Sequence, residues 1–279
     1  MMRTLLPILF FICNLSSYSQ EGLERVFVEE YYISSAADNA AEKRSGTLAE
    51  GSITYRIYVD LKPGYRFQAA YGSPGHPLKI KSTAPFFNHN WSGTTNSAIL
   101  PEKALGDDVA LLDSWLSVGA AGENHLAIPL AYDKVEKDVL IQFKKGFLEN
   151  QNKKKGNKLS EKDGLSRSVF IPFPTFFQID SCLKFLGTTT VGDSLVIHNG
   201  AWACMGKGSV GADSLSTNTV CIAQLTTAGK LSFELNIMIG GPDGKSYKYV
   251  ARNPTDGELT HKSLVLENKS KSRRKRKKS

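Results

Sequence analysis

The chain has 279 residues, of which 41% are hydrophobic and 22% charged, and a formal net charge of +8. These are ordinary values for one large β domain or two small ones. The charge is concentrated at the C-terminal end, where Lys269, Lys271, Arg273, Arg274, Lys275, Arg276, Lys277 and Lys278 stand with no acid among them, so a fold-wide basic footprint for nucleic acid is excluded.

In chain order, the first element is an expected signal peptide over residues 1–19. Arg3 precedes an apolar run over residues 5–15, and Ser17-Tyr18-Ser19 places small residues at the −3 and −1 positions before Gln20. The run is too short to span a bilayer comfortably, and no second long apolar segment follows, so the mature chain is expected to carry no transmembrane segment. Cys13 lies mid-run behind the bulky Ile12, which does not fit a lipid-attachment cysteine.

The mature domain is expected over residues 20–266. Residues 25–33 alternate around Val26, Val28, Phe27 and Tyr31 as a first strand. Residues 34–51 are polar and alanine-rich, a loop whose 38–43 portion has helical character. In the next segment Tyr55, Ile57, Val59 and Leu61 fall on one face of an extended chain, while Thr54, Arg56, Tyr58 and Asp60 fall on the other. Pro63-Gly64 turns the chain, and Phe67, Ala69 and Tyr71 alternate beyond it, which predicts a β-hairpin with one apolar and one wet face. A short strand over 78–82 follows, then an aromatic loop containing Phe86, Phe87, His89 and Trp91.

Residues 107–118 are bracketed by Gly106 and Gly119 at strand length. Residues 125–132 form a short apolar stretch interrupted by Pro129. Residues 144–167 are rich in Lys, Asn, Glu, Ser and Gly, a polar excursion with too few apolar residues to offset the cost of ordering. Strand signals resume at 168–177, where Pro172 and Pro174 demand an edge or a bend, and continue at 193–204 and 220–226. Leu231, Phe233, Leu235, Ile237 and Ile239 give the cleanest alternation, and residues 240–244 turn that strand into 246–251 as a second hairpin. No helical apolar stripe appears, so the expected class is all-β: an antiparallel β-sandwich, with two β-rich halves joined by the polar excursion as an alternative organisation. Residues 267–279 are expected to be a disordered basic tail.

Candidate sites are few. Asp107, Asp108 and Asp113 form an acidic turn that suits Ca²⁺, the one cofactor with a case, or a glycosidase pair; solvated acids in a turn are the plainer use. The loop of Phe86, Phe87, His89 and Trp91 offers rings for sugar stacking or for core filling. Three cysteines follow the signal peptide. Export permits a disulfide, for which Cys204 and Cys221 are the expected pair and Cys182 the free thiol. Gly206-Lys-Gly208-Ser-Val-Gly211 matches a dinucleotide fingerprint in letters only, because no helix pattern follows it. The eight cations of the tail would bind cell-surface glycans or other anionic polymers in a salt-sensitive, sequence-blind manner.

The blocks Gly51-Ser-Ile-Thr-Tyr-Arg-Ile-Tyr-Val-Asp-Leu61, Phe67-Gln-Ala-Ala-Tyr-Gly72, Leu112-Asp-Ser-Trp-Leu-Ser-Val-Gly-Ala-Ala121, Ala201-Trp-Ala203, Ile222-Ala-Gln-Leu-Thr-Thr227, Leu231-Ser-Phe-Glu-Leu-Asn-Ile237 and Tyr249-Val-Ala-Arg-Asn-Pro254 resemble a recurrent module of secreted Bacteroidota proteins. The likeness covers most of residues 48–255. It implies a β-rich extracellular module, often found in chains ending in a type IX secretion sorting domain, and brings no catalytic residue with it. The Lys-rich excursion at 144–167 and the basic tail depart from that pattern. The functional expectation is a secreted or cell-surface, non-catalytic binding or structural module. The alternative is a carbohydrate-binding or carbohydrate-active protein using the acidic turn and the aromatic loop.

Export predicts that mass spectrometry of the protein recovered outside the cell finds Gln20, or its pyroglutamate form, as the N-terminus. Retention of Met1 or Met2 would contradict it.

Overall fold

A computed structural model describes residues 22–41, 48–89, 93–105, 109–134, 159, 162–186 and 192–267. In chain order its strands are β1 (Leu23–Ile33), β2 (Ile53–Leu61), β3 (Arg66–Gly72), β4 (Leu78–Lys81), β5 (Trp115–Leu116), β6 (Ala120–Gly122), β7 (His125–Ala127) and β8 (Leu165–Arg167). Then come β9 (Pro174–Phe177), β10 (Ser194–Ile197), β11 (Gly200–Cys204), β12 (Thr219–Thr227), β13 (Ser232–Glu234), β14 (Ile237–Gly240), β15 (Ser246–Tyr249), β16 (Glu258–Leu259) and β17 (Val265–Leu266). Short helices occupy α1 (Ala36–Ala41), α2 (Glu102–Leu105) and α3 (Asp180–Leu183). The all-β class expected from the alternation is the one observed.

Everything packs around the sheet β1-β2-β12-β5. Its one face carries Val26, Ile57, Val59, Val220, Ile222 and Leu225 into a core shared with two further sheets, β10-β4-β13-β17 and β16-β15-β14-β3-β11-β9. The opposite face, expected to be wet, is buried as well: Thr54, Arg56 and Tyr58 are all 0% exposed and Asp60 is 8% exposed. A second core covers that face, where Tyr31, Tyr58 and Cys221 meet Phe87, Leu105, Leu112, Trp115 and Leu165. The protein therefore has three layers: a cap that includes the small sheet β6-β7-β8, the central sheet, and the outer pair of sheets.

Pairing along both edges of β2 explains why the first expected hairpin does not form. β2 is paired along one edge by β1 and along the other by β12, so β3 finds no free edge beyond the Pro63-Gly64 turn. It crosses instead to the six-stranded sheet, between β11 and β14. The second expected hairpin is present, since β14 pairs with β15 antiparallel from Ile237↔Tyr249 to Gly240↔Ser246. The alternation over 231–239 is buried as expected, but the strand breaks between β13 and β14 and changes sheet. Asn236 makes the break: its Nδ2 donates to the Tyr71 and His76 carbonyls at 3.0 and 2.7 Å, and its Oδ1 accepts from Ala251 N at 3.0 Å.

Two further expectations change. Residues 109–118 form a 3-10 turn at Ala110–Leu112 and only a two-residue strand, β5. Gln224 Nε2 takes the carbonyls of Leu111 and Asp113, both at 2.8 Å, and so removes acceptors that a longer ladder would use. The end of the polar excursion belongs to the fold: Leu159 and Leu165 are 1% and 7% exposed, and β8 pairs with β7. In each of the three larger sheets a strand from before the excursion pairs directly with strands from after it, so the halves are interleaved rather than joined end to end.

Candidate functional site

The residues singled out from the sequence are mostly scaffold. Phe86 and Phe87 are 1% and 0% exposed, one in each core, and His89 is buried beside Phe87. A sugar ring has no access to them. Asp113 is fully buried and points its two oxygens at backbone donors, accepting from His89 N and Thr94 N at 2.8 Å each. Both oxygens are thus spent on closing the loop that leads into the cap, an arrangement suited to a clamp rather than to calcium, which seeks several oxygen ligands at once. Trp91, Asp107, Asp108 and the eight cations of the tail lie outside the described residues. Among the described residues no three His, Cys, Asp or Glu side chains gather as a metal site requires.

The expected disulfide is absent. Cys221 is sealed in the second core on β12, whereas Cys204 is half-buried on β11 in a different sheet, and both are free thiols, as is Cys182. Adjacent positions in the order of predicted strands did not become adjacent strands, because β11 pairs with β3 and β9 while β12 pairs with β2 and β5. Burial pushes the Cys221 thiol up to about 12, which removes it as a nucleophile at neutral pH.

Beneath the cap lies a buried polar relay. Arg56 Nε donates to Gln224 Oε1 and its Nη1 to the Gly164 carbonyl, both at 2.9 Å, and the guanidinium lies 3.5 Å from the centroid of the Tyr31 ring. Glu29 accepts from Leu130 N at 2.8 Å and from Tyr58 OH at 3.5 Å. Burial raises the Glu29 carboxyl above its ordinary range, and the Arg56 charge and the Leu130 amide pull it back without cancelling that rise. Each of these groups ties the central sheet to the cap. None reaches the surface as a reactive constellation.

The surface that stands out is at the edge strand β9, on the solvent side of the six-stranded sheet. Register fixes the two faces: Phe176 pairs with Trp202, which pairs with Ala70, which pairs with Ile237, and all of these line the core. The alternate residues lie on the opposite face, with Phe177 opposite Ala201 and Thr175 opposite Ala203; Ala69, the next residue across from Ala203, is already covered at 2% exposed. Alternation puts Phe173 on the same side as Thr175 and Phe177. Phe173, Phe177 and Met205 are 56%, 42% and 64% exposed over this alanine floor. From Ser168 to Ile179 the chain carries no charge at all.

Beside Phe177 the backbone is strained. Gln178 has φ 54°, a left-handed conformation that costs a residue other than glycine or asparagine about 1–3 kcal/mol. The opposing strand is shaped to hold it, since a Cβ on Gly200 would sit 2.5 Å from the Phe177 carbonyl oxygen and 3.1 Å from that of Gln178. Asn199 Nδ2 donates to Gln178 Oε1 at 3.1 Å, so two exposed amides are locked together next to an exposed ring. The anchor for this strain is Trp202, fully buried, whose Nε1 donates to the carbonyl of Ser117, just past β5, at 3.1 Å and to that of Ile222 on β12 at 3.2 Å. Burying roughly 200 Å² of indole contributes up to about 5 kcal/mol, more than the strain consumes.

Sequence reasoning read 168–177 as an edge or a bend through Pro172 and Pro174, and β9 is an edge strand. It missed the site, although an aromatic run without charges was there to be noticed. Comparisons with family models, with curated proteins and with solved structures returned no match.

The raised Glu29 carboxyl has a measurable consequence. A folded-state pKa above the ordinary 4.5 means that the folded protein holds this proton more tightly than the unfolded chain. Its stabilising contribution is present below the unfolded value and is lost as pH rises through the folded value. Urea unfolding between pH 4 and 7 is expected to show Glu29→Gln gaining on the parent protein as pH rises. A variant that loses ground instead would mean that Arg56 holds Glu29 ionised.

Proposed function

We propose that this chain is a secreted or cell-surface, non-catalytic β-sandwich module that acts by binding, and that the binding face is the outer side of the six-stranded sheet at β9. The observation that carries this reading is the exposed, charge-free strip with Phe173, Phe177 and Met205 standing over Ala201 and Ala203. Exposed apolar side chains gathered at one sheet edge mark a surface that meets something other than water. Proline at position 174 within β9 removes a backbone donor and blunts the edge against in-plane strand addition. What the edge presents is therefore its side chains. The expected signal peptide and the resemblance of residues 48–255 to a secreted Bacteroidota module support the extracellular part of the proposal. No helix among the described residues is long and apolar enough to cross a membrane.

A sedimentation assay tests the reading. Purified protein mixed with insoluble cell-envelope material is expected to pellet with it, and the double variant Phe173→Ser, Phe177→Ser is expected to stay in the supernatant with its melting temperature within a few degrees of the parent's. Both residues are exposed, so the fold should not depend on them. Equal pelleting of the two proteins would place binding elsewhere on the molecule.

A further inference from the structure

We infer that the β9 face is a site for a neutral oligosaccharide, with Phe177 as the stacking ring and Gln178 and Asn199 as the groups that read hydroxyls. This inference deepens the binding-module reading and rests on it. Three features of the face select the ligand class. The first is charge: residues 168–179 are uncharged, and the next residue is Asp180, exposed and acidic. Arg167 before the strip, Asp180 after it and Lys207 beyond Met205 put charges of both signs only at its borders, so a charged polymer of either sign would leave its charges against phenyl rings. A neutral ligand is the complement.

The second feature is the pairing of apolar and polar groups at one spot. A purely hydrophobic partner has no use for two amides, whereas a sugar ring offers an apolar C–H face and hydroxyls on its rim. Phe177 is 42% exposed and can receive the C–H face, burying apolar area on both sides. The Asn199 Nδ2 to Gln178 Oε1 bond leaves the Gln178 amide nitrogen as donor and the Asn199 oxygen as acceptor. A donor and an acceptor side by side match adjacent hydroxyls, each of which both gives and takes a hydrogen bond.

The third feature is preorganisation. Gln178 holds φ 54° against Gly200, which can approach because it lacks a Cβ. Strain that persists on an exposed residue, locked by a neighbouring side chain, fixes the amide before any ligand arrives and lowers the ordering cost of binding. Four residues of extended chain separate Phe173 from Phe177, about 13 Å. That is longer than one sugar ring, so the two rings together call for an oligosaccharide.

The test is calorimetric titration with neutral oligosaccharides, one to six units long, from β-glucan, xylan and mannan series. At least one series is expected to bind with affinity that rises with chain length. For that ligand Phe177→Ala, Gln178→Ala and Asn199→Ala should each weaken binding about tenfold or more at unchanged melting temperature, while Phe177→Trp retains it. Failure of every series, with wild-type protein still pelleting on envelope material and the Phe173, Phe177 variant not, would overturn the glycan inference and leave the binding face standing. Concentration-dependent dimerisation abolished by Phe177→Ser, without glycan binding, would likewise overturn it in favour of a second copy of the chain. Glycan binding that survives all three alanine substitutions would place the sugar on another surface and overturn the assignment of these residues.

Discussion

A guanidinium with no exposure to water sits in the middle strand of the central sheet, and the arrangement of the layers follows from how it is satisfied. Taking Arg56 out of water costs several kcal/mol, repaid only by well-placed partners. Gln224 on the adjacent strand supplies one, the Gly164 carbonyl supplies a second, and the guanidinium carbon lies 3.5 Å from the centroid of the Tyr31 ring. Gly164 has φ 65°, and a Cβ there would come within 2.9 Å of both Arg56 Nη1 and Tyr31 Cε2, so the residue beneath which the arginine is buried has to be glycine. The end of the polar excursion must come back to this point. Asp133 reinforces the return by accepting from Gly164 N at 2.8 Å.

The same central sheet sets where binding can occur. One of its faces is closed by the cap and the other by the two outer sheets, so the sheet surfaces left to solvent are the far sides of those outer sheets, the six-stranded one among them. At that sheet's last strand the side chains are no longer flanked by a neighbour, and Phe177 stands clear. Trp202 ties the next strand to the central sheet through two carbonyls, so the exposed edge inherits the rigidity of the interior. A strained Gln178 is sustainable at such a place and would relax on a mobile loop.

Local alternation made the strands legible: β1, β2, β4, β12 and the β14–β15 hairpin stand close to where their side-chain periods put them. What alternation does not encode is the partner of each face. Thr54, Arg56 and Tyr58 have the polarity of a wet face, yet they are buried because other buried polar groups answer them, such as Thr226 Oγ1 with Thr54 Oγ1 at 2.8 Å. The strand pairings depended on long-range competition for edges, which decided the fate of the 54–72 hairpin and of the Cys204, Cys221 pair. For the site, aromaticity alone was a poor guide. Phe86 and Phe87, near Trp91 in sequence, go to the cores, while Phe173 and Phe177 lie in a segment whose prolines signal only an edge or a bend. Exposure separates the two sets, and exposure is a property of the assembled sheet.

Native-state hydrogen exchange tests most directly whether Arg56 makes the cap and the central sheet one cooperative unit. The amide of Ile128 donates to the Gly164 carbonyl at 2.9 Å, the same oxygen that Arg56 holds, and reports on the cap; amides within β12 report on the sheet. If the buried cation locks the layers together, Ile128 exchanges with the same opening free energy as β12 in the parent protein and several kcal/mol below it in Arg56→Met. Early exchange of Ile128 in the parent protein, at a free energy unchanged by the substitution, would show that the cap opens independently of the arginine and would contradict the account.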